Sequence, residues 1–307
     1  MEDPAIVANN ISKHYQQFVA VDKLSFSVPQ GSIYGFLGPN GSGKSTTLRM
    51  MLDLIRPSSG NIFLFGKQIN TDRSEIFKRI GCIVEKPDFY NYLSAHENLM
   101  QSVRAFGLST TKEQFESLYK KVDLWGRQHD KVKTYSHGMK QRLGLAQALL
   151  HNPDLIILDE PNTGLDPQGI IDLRNIIVEL NREEGKTIVF SSHILSEVQT
   201  ICTDMLIINK GHKVVEGKVS DLLSQADLLV RIELSHESVE SFTTTTWYQL
   251  VDERRENTFQ LRMGREQIPA LLQDIQSKGI TVYRLDYRNQ LEDYFLKITN
   301  TNQAHAI

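Results

Sequence analysis

Short apolar runs alternate with amphipathic stretches along most of the chain, a pattern typical of strands that alternate with helices. The segment LSFSV places three apolar side chains on one face of a strand, namely Leu24, Phe26 and Val28. LIILDE begins with continuous apolar residues, as strands buried on both faces of a sheet do, and TIVFSSH repeats this pattern. The pattern therefore predicts an α/β fold with a mostly parallel sheet, helical cover and a closing hairpin over MLIINKGHKVVEG.

A helical region is predicted in the middle of the chain, from Ser94 to about Asp123. Ser94 with Glu97, and Thr110 with Glu113, have the spacing of a capping box, in which each residue of the pair bonds the backbone N–H of the other. One apolar stripe follows at helical spacing, formed by Leu99, Val103 and Phe106. These signals together predict a helical lobe.

Two further helices are predicted to begin at small residues. The first follows a glycine-rich loop and carries an apolar face of Leu48, Met51, Leu52 and Ile55. The second lies in VKTYSHGMKQRLGLAQALL and carries Met139, Leu143, Ala146 and Leu150. Its start, at Ser136 and Gly138, combines free backbone N–H groups with the positive end of a helix dipole, so an anion is expected to bind there.

Length and a change of character indicate two domains. The chain has 307 residues, enough for about two domains. Past Gly217 the segments LLVRIEL, TFQLRM and ITVYRLDY resemble strands, and EQIPALLQDIQSKG and NQLEDYFLKI resemble helices. We predict a boundary near Ser220, between an α/β domain of residues 1–219 and a small accessory α+β domain of residues 220–307.

Composition excludes several classes of protein. The net charge is -3 and no dense run of Lys or Arg occurs, which argues against nucleic-acid binding. No apolar run approaches the roughly 20 residues of a membrane span, and MEDPAIVANN lacks the features of a signal peptide. Two cysteines in unrelated segments and nine scattered histidines favour a reducing cytosol and no metal centre built from Cys and His. We therefore expect a chain that is soluble by itself.

The segment GPNGSGKS, Gly38 to Ser45, matches the pattern G-x-x-x-x-G-K-[ST] between a predicted strand and a predicted helix. Its backbone N–H groups are expected to surround phosphates, with Lys44 reaching the β- and γ-phosphates and the Ser45 hydroxyl holding Mg²⁺. The predicted nucleotide-binding residues are Gly38, Pro39, Asn40, Gly41, Ser42, Gly43, Lys44, Ser45 and Thr46.

Two carboxylates follow the apolar strand LIIL, at the end where ligands of such sheets bind. Asp159 is predicted to assist Mg²⁺, and Glu160 to accept a proton from the attacking water or to orient it. A GTPase would carry an Asn-Lys-X-Asp motif, but the nearest string is NKGH, so ATP is favoured as the nucleotide.

Four segments in order, GPNGSGKST, YSHGMKQRLGLAQAL, LIILDEPNTGLDP and SSHIL, resemble the motifs of the ATP-binding subunit of ABC transporters. The likeness covers roughly Ala5 to Gly217. It implies the P-loop NTPase fold of that family, with an antiparallel β subdomain and a helical lobe beside the main sheet. It also implies ATP hydrolysis with Mg²⁺.

Further residues acquire roles only from this resemblance. Tyr15 resembles the aromatic residue that stacks on adenine, and His193 resembles the histidine that positions the γ-phosphate and the water. Asp166 lies in the loop that faces the partner subunit. The resemblance implies that Ser136 and the Gly138 N–H contact the γ-phosphate of an ATP held by a second subunit.

The segment YSHGM departs from the usual signature Leu-Ser-Gly-Gly-Gln. Ser136 and Gly138, the two groups expected to donate hydrogen bonds to phosphate, are retained. Met139 replaces the usual Gln, and His137 adds a titratable group beside the expected phosphate, so that pH could influence the closure of the two subunits.

Glu85 occupies the place usually held by a glutamine that contacts magnesium. A carboxylate is a hard oxygen ligand and suits Mg²⁺ together with Ser45 and Asp159. Glutamate here is similar to a subgroup that includes peptide-antibiotic exporters and immunity transporters.

The resemblance implies an ATPase subunit that powers export through a permease on a separate chain. Its partner in head-to-tail dimerisation is a second copy or a homologous subunit, and it lies on the cytoplasmic face of the membrane. The permease is expected to dock in the groove near Glu85 to Phe106. The appendix and the final QLEDYFLKIT resemble subunits of ABC-2 type exporters.

Two alternatives are weighed against this interpretation. One is a cytosolic ABC-type ATPase that acts on ribosomes or DNA, which usually has two ATPase units, coiled-coil arms or a basic surface. The other is a regulatory module that binds ATP without hydrolysing it, against which Glu160 and His193 both argue.

Overall fold

The computed structural model describes residues 3–224, 228–289 and Phe295. The chain divides into two compact units, Met1–Val219 and Ser220–Ile307. The helix predicted over NQLEDYFLKI, which includes the proposed closing segment QLEDYFLKIT, lies outside the described residues apart from Asn289 and Phe295.

The described part of the first unit contains strands and helices in alternation. The strands are β1 (Ile6–Tyr15), β2 (Phe18–Val28), β3 (Ile33–Leu37), β4 (Ser59–Leu64), β5 (Lys67–Gln68), β6 (Ile80–Ile83), β7 (Leu155–Leu158), β8 (Thr187–Ser192), β9 (Asp204–Asn209) and β10 (His212–Lys218). The helices are α1 (Lys44–Met51), α2 (Arg73–Phe77), α3 (Ala95–Phe106), α4 (Lys112–Lys121), α5 (His137–Leu149), α6 (Pro167–Glu184) and α7 (Leu195–Ile201), and α8 (Val219–Ser224) follows at the boundary.

The main sheet of this unit has the strand order β10-β9-β3-β8-β7-β6. Its neighbouring strands pair in parallel except β9 and β10, which form the predicted antiparallel hairpin. A second sheet, β2-β1-β4-β5, is antiparallel. The predicted fold class, a mostly parallel sheet with an antiparallel β subdomain and a helical lobe, is confirmed.

Both sheets and α1 share one apolar core. It includes Ile6, Phe26, Phe36, Leu48 and Ile157, each at most 4% exposed. The rings of Phe26 and Phe36 meet edge to face at 5.4 Å between centroids. The strand β7 is buried at all four residues, as its continuous apolar run predicts.

The helix after the glycine-rich loop is shorter than its apolar spacing predicts. It was expected to reach Ile55, but α1 ends at Met51. Asp53 has a φ of 52°, which the right-handed helix cannot contain, and the N–H groups of Leu54 and Ile55 both donate to the Arg49 carbonyl. The helical spacing of apolar residues continues beyond this turn, so the spacing alone predicted a longer helix than the one that forms.

The helical lobe begins with the predicted capping box. Ser94 Oγ accepts from the Glu97 N–H, and the Glu97 carboxylate accepts from the Ser94 N–H. Leu99 and Val103 are buried, but Phe106 is 58% exposed, so its predicted place in the apolar stripe is wrong. Phe106 lines a surface cavity instead, where its ring lies 5.9 Å from that of His151.

The second predicted capping box lies one residue further along than expected. Thr111, not Thr110, caps α4, and its partner is Gln114 in place of Glu113. Overlapping Thr-x-x-Glu and Thr-x-x-Gln strings offer the same donor and acceptor, so the sequence pattern alone does not separate them.

The second unit contains β11 (Leu228–Leu234), α9 (Val239–Thr243), β12 (Val251–Arg255), β13 (Thr258–Met263), α10 (Ile268–Ser277) and β14 (Val282–Asn289). Its antiparallel sheet has the order β12-β13-β11-β14, which is the split βαβ, ferredoxin-like arrangement. Apolar side chains of the sheet and both helices form a separate core around Phe242, Phe259 and Leu271.

Within the described residues, no helix combines the length and apolar character that crossing a bilayer requires.

We expect Ser94→Ala to lower the free energy of unfolding by about 1 kcal/mol, because the Glu97 backbone N–H at the start of α3 loses the Ser94 hydroxyl as its acceptor. Urea denaturation followed by circular dichroism measures the change. Ser109→Ala is the matched control, since Ser109 is exposed and its side chain makes no hydrogen bond to a described residue. Equal stability of the two variants would contradict the role of this cap.

Candidate functional site

The candidate site is built where three parallel strands end together. Leu37 of β3 is in register with Ser192 of β8, and Leu158 of β7 with Phe190 of β8. The residues that follow these strands therefore lie at one edge of the sheet. They comprise the phosphate loop after β3, Asp159 and Glu160 after β7, and His193 after β8.

The phosphate loop needs glycine at two close approaches. A Cβ on Gly38 would lie 2.4 Å from the Ile208 carbonyl oxygen, and one on Gly43 would lie 2.6 Å from the Ala20 carbonyl oxygen. Gly43 also has a φ of 105°, which side chains rarely adopt. Gly43 caps α1 without any side-chain hydrogen bond, so the first backbone N–H groups of α1 are free to bind an anion.

Lys44 is a buried cation at the start of α1, only 5% exposed. Its Nζ donates to the carbonyl oxygens of Gly38 at 2.7 Å and Pro39 at 3.3 Å. It also lies 3.1 Å from Glu160 Oε1. The loop thus holds one positive charge beside the free amides, where a phosphate would be drawn.

Glu160 connects two neighbouring side chains of the site, Lys44 and His193. Its Oε2 lies 2.8 Å from His193 Nδ1, and its Oε1 faces Lys44 Nζ. Since an ionised carboxylate only accepts, His193 Nδ1–H donates this hydrogen bond. Glu160 has a φ of 46°, a conformation that costs energy for a residue other than glycine and occurs often at functional sites. The arrangement can hold a water at the carboxylate for proton removal.

Ser191 is a candidate site residue that the sequence analysis missed. Its hydroxyl donates to Asp159 Oδ1 at 2.6 Å and accepts from the Glu160 N–H at 2.8 Å. It is fully buried at the end of β8. The available signal was a pair of serines in the otherwise apolar TIVFSS, since a buried hydroxyl needs partners.

The oxygen atoms near the phosphate loop fit a magnesium ion. Ser45 follows Lys44, and the second oxygen of Asp159 is not engaged by a described residue. Among the described residues no group of three or more His, Cys, Asp or Glu could hold a metal by itself. Magnesium fits such a sparse set, since it usually binds one or two carboxylates together with substrate phosphates.

Glu85 lies in the loop after β6 and pairs with Arg49 of α1. The sequence analysis expected the Glu85 carboxylate to bind Mg²⁺ together with Ser45 and Asp159. It missed the pairing with Arg49, which is 36 residues away in the chain. The Glu85 side chain is 68% exposed and has a left-handed backbone, with a φ of 68°. Arg49 therefore offsets its negative charge.

Tyr15 is the last residue of β1 and is 44% exposed. Lys13 Nζ lies 5.1 Å from its ring centroid. An exposed aromatic face with a cation beside it is able to stack on a base.

The segment Tyr135–Met139 begins α5 as predicted. Ser136 is the N-cap, and its Oγ accepts from the Met139 N–H at 3.2 Å, so its hydroxyl hydrogen is left to donate. Burial raises the pKa of Tyr135 to about 12, and its neutral hydroxyl donates to the Arg127 carbonyl. The imidazole of His137 is turned toward the carbonyl oxygen of Thr163, 3.1 Å from its Nε2.

Asp166 is the N-cap of α6 and ends the loop that follows Glu160. Its Oδ1 accepts from the Gly169 N–H at 3.0 Å, and Pro167 occupies the first helical position. The position of Asp166 is therefore determined by a helix cap.

Comparisons with known proteins agree with these features. The family model described as ABC transporter matches residues 21–163. The ABC transporter ATP-binding protein YhcH of Bacillus subtilis, described as uncharacterized, is 38% identical over 97% of this chain and 96% of its own. The bacitracin transport ATP-binding protein BcrA of Bacillus licheniformis is 38% identical over 95% of this chain and 96% of its own.

Solved structures are similar to the first unit. One, described as the ATP binding subunit of an ABC transporter, has a TM-score of 0.64 and 29% identity, and the match covers 72% of this chain and 92% of that one.

We expect Ser191→Ala to lower turnover about tenfold, a barrier increase of about 1.4 kcal/mol, because Asp159 and the Glu160 backbone lose their shared partner. An ATPase assay measures it. Ser32→Ala is the matched control, because it also removes a buried serine hydroxyl, but one that donates to the Pro29 backbone carbonyl and contacts neither acid. If both variants keep wild-type turnover, Ser191 has no role in positioning the acids.

Proposed function

Because the chain belongs to the family of ABC transporter ATP-binding proteins, which hydrolyse ATP, we propose that it powers export through a permease on a separate chain. The observation that carries this proposal is Glu160 held between Lys44 and His193 beside the phosphate loop. A carboxylate in that position serves hydrolysis, and a module that only binds ATP has no need of it.

We assign the nucleotide to the loop of residues 38–46, with its phosphates on the free amides of α1. Lys44 is shared between Glu160 and the loop carbonyls, and a γ-phosphate is a stronger partner for it than a carbonyl oxygen. Tyr15 stacks on the adenine. Mg²⁺ held by Ser45 and Asp159, with Glu85 near it, would neutralise charge on the phosphates.

In this proposal Glu160 takes a proton from the attacking water, while His193 fixes the carboxylate from the other side. Positioning and charge stabilisation supply most of the catalysis, since phosphoryl transfer needs little covalent chemistry from a protein. Ser191 keeps both acids in place through its two hydrogen bonds.

We assign the contact with the second subunit's ATP to the start of α5. The Ser136 hydroxyl and the Gly138 N–H would donate to the γ-phosphate of an ATP on a partner subunit, helped by the dipole of a helix of 13 residues. Asp166 would face the same partner. The second subunit is another copy of this chain or a homologous ATPase.

The permease is proposed to dock in a cavity of about 840 Å³ beside the edge strand β6. Apolar and aromatic side chains from α2, from the segment after β6 and from the helical lobe line it, including Phe77, Val84, Pro87, Phe106 and Leu108. An exposed apolar cavity of this kind marks an interaction site. The chain would therefore lie on the cytoplasmic face of the membrane, bound through the permease.

The likeness to a bacitracin transport protein and the Glu85 substitution support a peptide-antibiotic or related amphipathic molecule as the exported substrate. An ATPase acting on ribosomes or DNA is the alternative. The net charge of -3 and the apolar cavity favour the permease.

We expect Glu160→Gln to lower ATP turnover by a factor of about 10² or more, since general-base catalysis contributes 10²–10⁴. With ATP and Mg²⁺ this variant should elute from size exclusion as a dimer, because ATP is bound but not consumed. Adding Ser136→Ala should return the Glu160→Gln variant to a monomer.

The controls are Glu237→Gln and Ser109→Ala, both at exposed positions. A monomeric Glu160→Gln variant together with an active Ser136→Ala variant would refute the shared ATP site.

Glu85→Gln is expected to leave turnover within about tenfold, or roughly 1.4 kcal/mol, because the amide keeps an oxygen for the metal. Glu85→Ala removes that oxygen and should cost more. The comparison is made by ATPase assay over a range of Mg²⁺ concentrations. Complete loss of turnover in Glu85→Gln would show that the charge of the Glu85–Arg49 pair matters beyond the oxygen.

A further inference from the structure

His137 lies inside the segment proposed to bind the partner's nucleotide, yet its ring is engaged within its own subunit. Its Nε2 lies 3.1 Å from the Thr163 carbonyl oxygen. A carbonyl can only accept, so His137 is the donor and carries its proton on Nε2. The ring also packs closely against Gly164, where a Cβ would lie 3.2 Å from the same nitrogen.

The acceptor belongs to the loop that begins with the proposed general base. Thr163 N–H donates to the Glu160 carbonyl at 3.1 Å, and Leu165 N–H donates to the Asn162 carbonyl at 3.1 Å. The loop then ends at Asp166, the cap of α6. The hydrogen bond from His137 therefore reaches the backbone of Glu160 through a single turn.

A second contact ties α5 to its surroundings further along the helix. Arg142 is half-buried, pairs with Asp123 and lies 4.0 Å from Asp172 of α6. The helix α5 therefore contacts the 160–166 loop through His137 and contacts α6 through Arg142. Each of these contacts restricts how far α5 can move relative to the 160–166 loop and α6.

We propose that His137 is a positioning residue, which keeps the signature serine and the Glu160 loop of the same subunit in fixed register. The inference rests on the proposed function, in which Ser136 serves the partner's ATP and Glu160 serves the subunit's own. When Ser136 binds the partner's ATP, the contact made by His137 therefore fixes the position of the Glu160 carboxylate at the subunit's own ATP. His137 itself touches neither nucleotide.

The test uses the full chain and two variants of one position. His137→Leu fills similar space without a donor, whereas His137→Gln places an amide N–H at the same distance along the side chain. We expect His137→Leu to lower kcat about tenfold and to change the KM for ATP less than about twofold. His137→Gln should restore kcat to within about twofold of wild type.

Two further measurements separate this role from others. In the Glu160→Gln background, His137→Leu should still form the ATP-dependent dimer, unlike Ser136→Ala. His129→Leu, at another exposed histidine of the helical lobe, should leave kcat unchanged, and thermal melting should confirm that all variants are folded.

The inference is overturned if His137→Leu keeps wild-type kcat, or if the Leu and Gln variants are equally impaired. It is also overturned if His137→Leu raises KM and abolishes the dimer, since His137 would then act on the partner's nucleotide directly. Absence of a dimer in Glu160→Gln alone would count against the proposed function instead. The kcat difference between the Leu and Gln variants would still report on the hydrogen bond.

Discussion

The parallel register of β3, β8 and β7 is the constraint on which the site depends. Because these strands point the same way and end together, a lysine, two acids and a histidine that are far apart in the chain meet at one sheet edge. Lys44 and Glu160 lie 3.1 Å apart only through this register. A shift of one residue would turn the buried strand ends over and separate the charges.

Several buried polar groups at this edge pair with one another. Lys44 is buried, donates hydrogen bonds to two loop carbonyls and forms an ion pair with the Glu160 carboxylate. Ser191 does the same for Asp159 and the Glu160 backbone. Leaving any of these groups unpaired would be costly, so the charges are held ready for a phosphate without being free to collapse.

Sequence patterns predicted most of the fold and named most of the residues that meet at the candidate site. The strands, the glycine-rich loop between β3 and α1 and the helix capped by Ser136 were predicted from local spacing, and the structure contains them. The family was predicted from the resemblance of four ordered motifs and is confirmed. The errors were local as well. The end of α1, the start of α4 and the exposure of Phe106 each depend on a single turn or on a neighbouring surface, to which hydrophobic periodicity is insensitive.

The sequence by itself determined which elements form and which reactive residues follow them, because helix and strand periods and the glycine loop act over a few neighbouring residues. Only the tertiary structure decided which side chains meet. Ser191 reaches Asp159 across 32 residues, Arg49 reaches Glu85 across 36, and His137 reaches Thr163 across 26. Each of these contacts exists because packed strands and helices bring distant backbones together, and no short-range pattern records that.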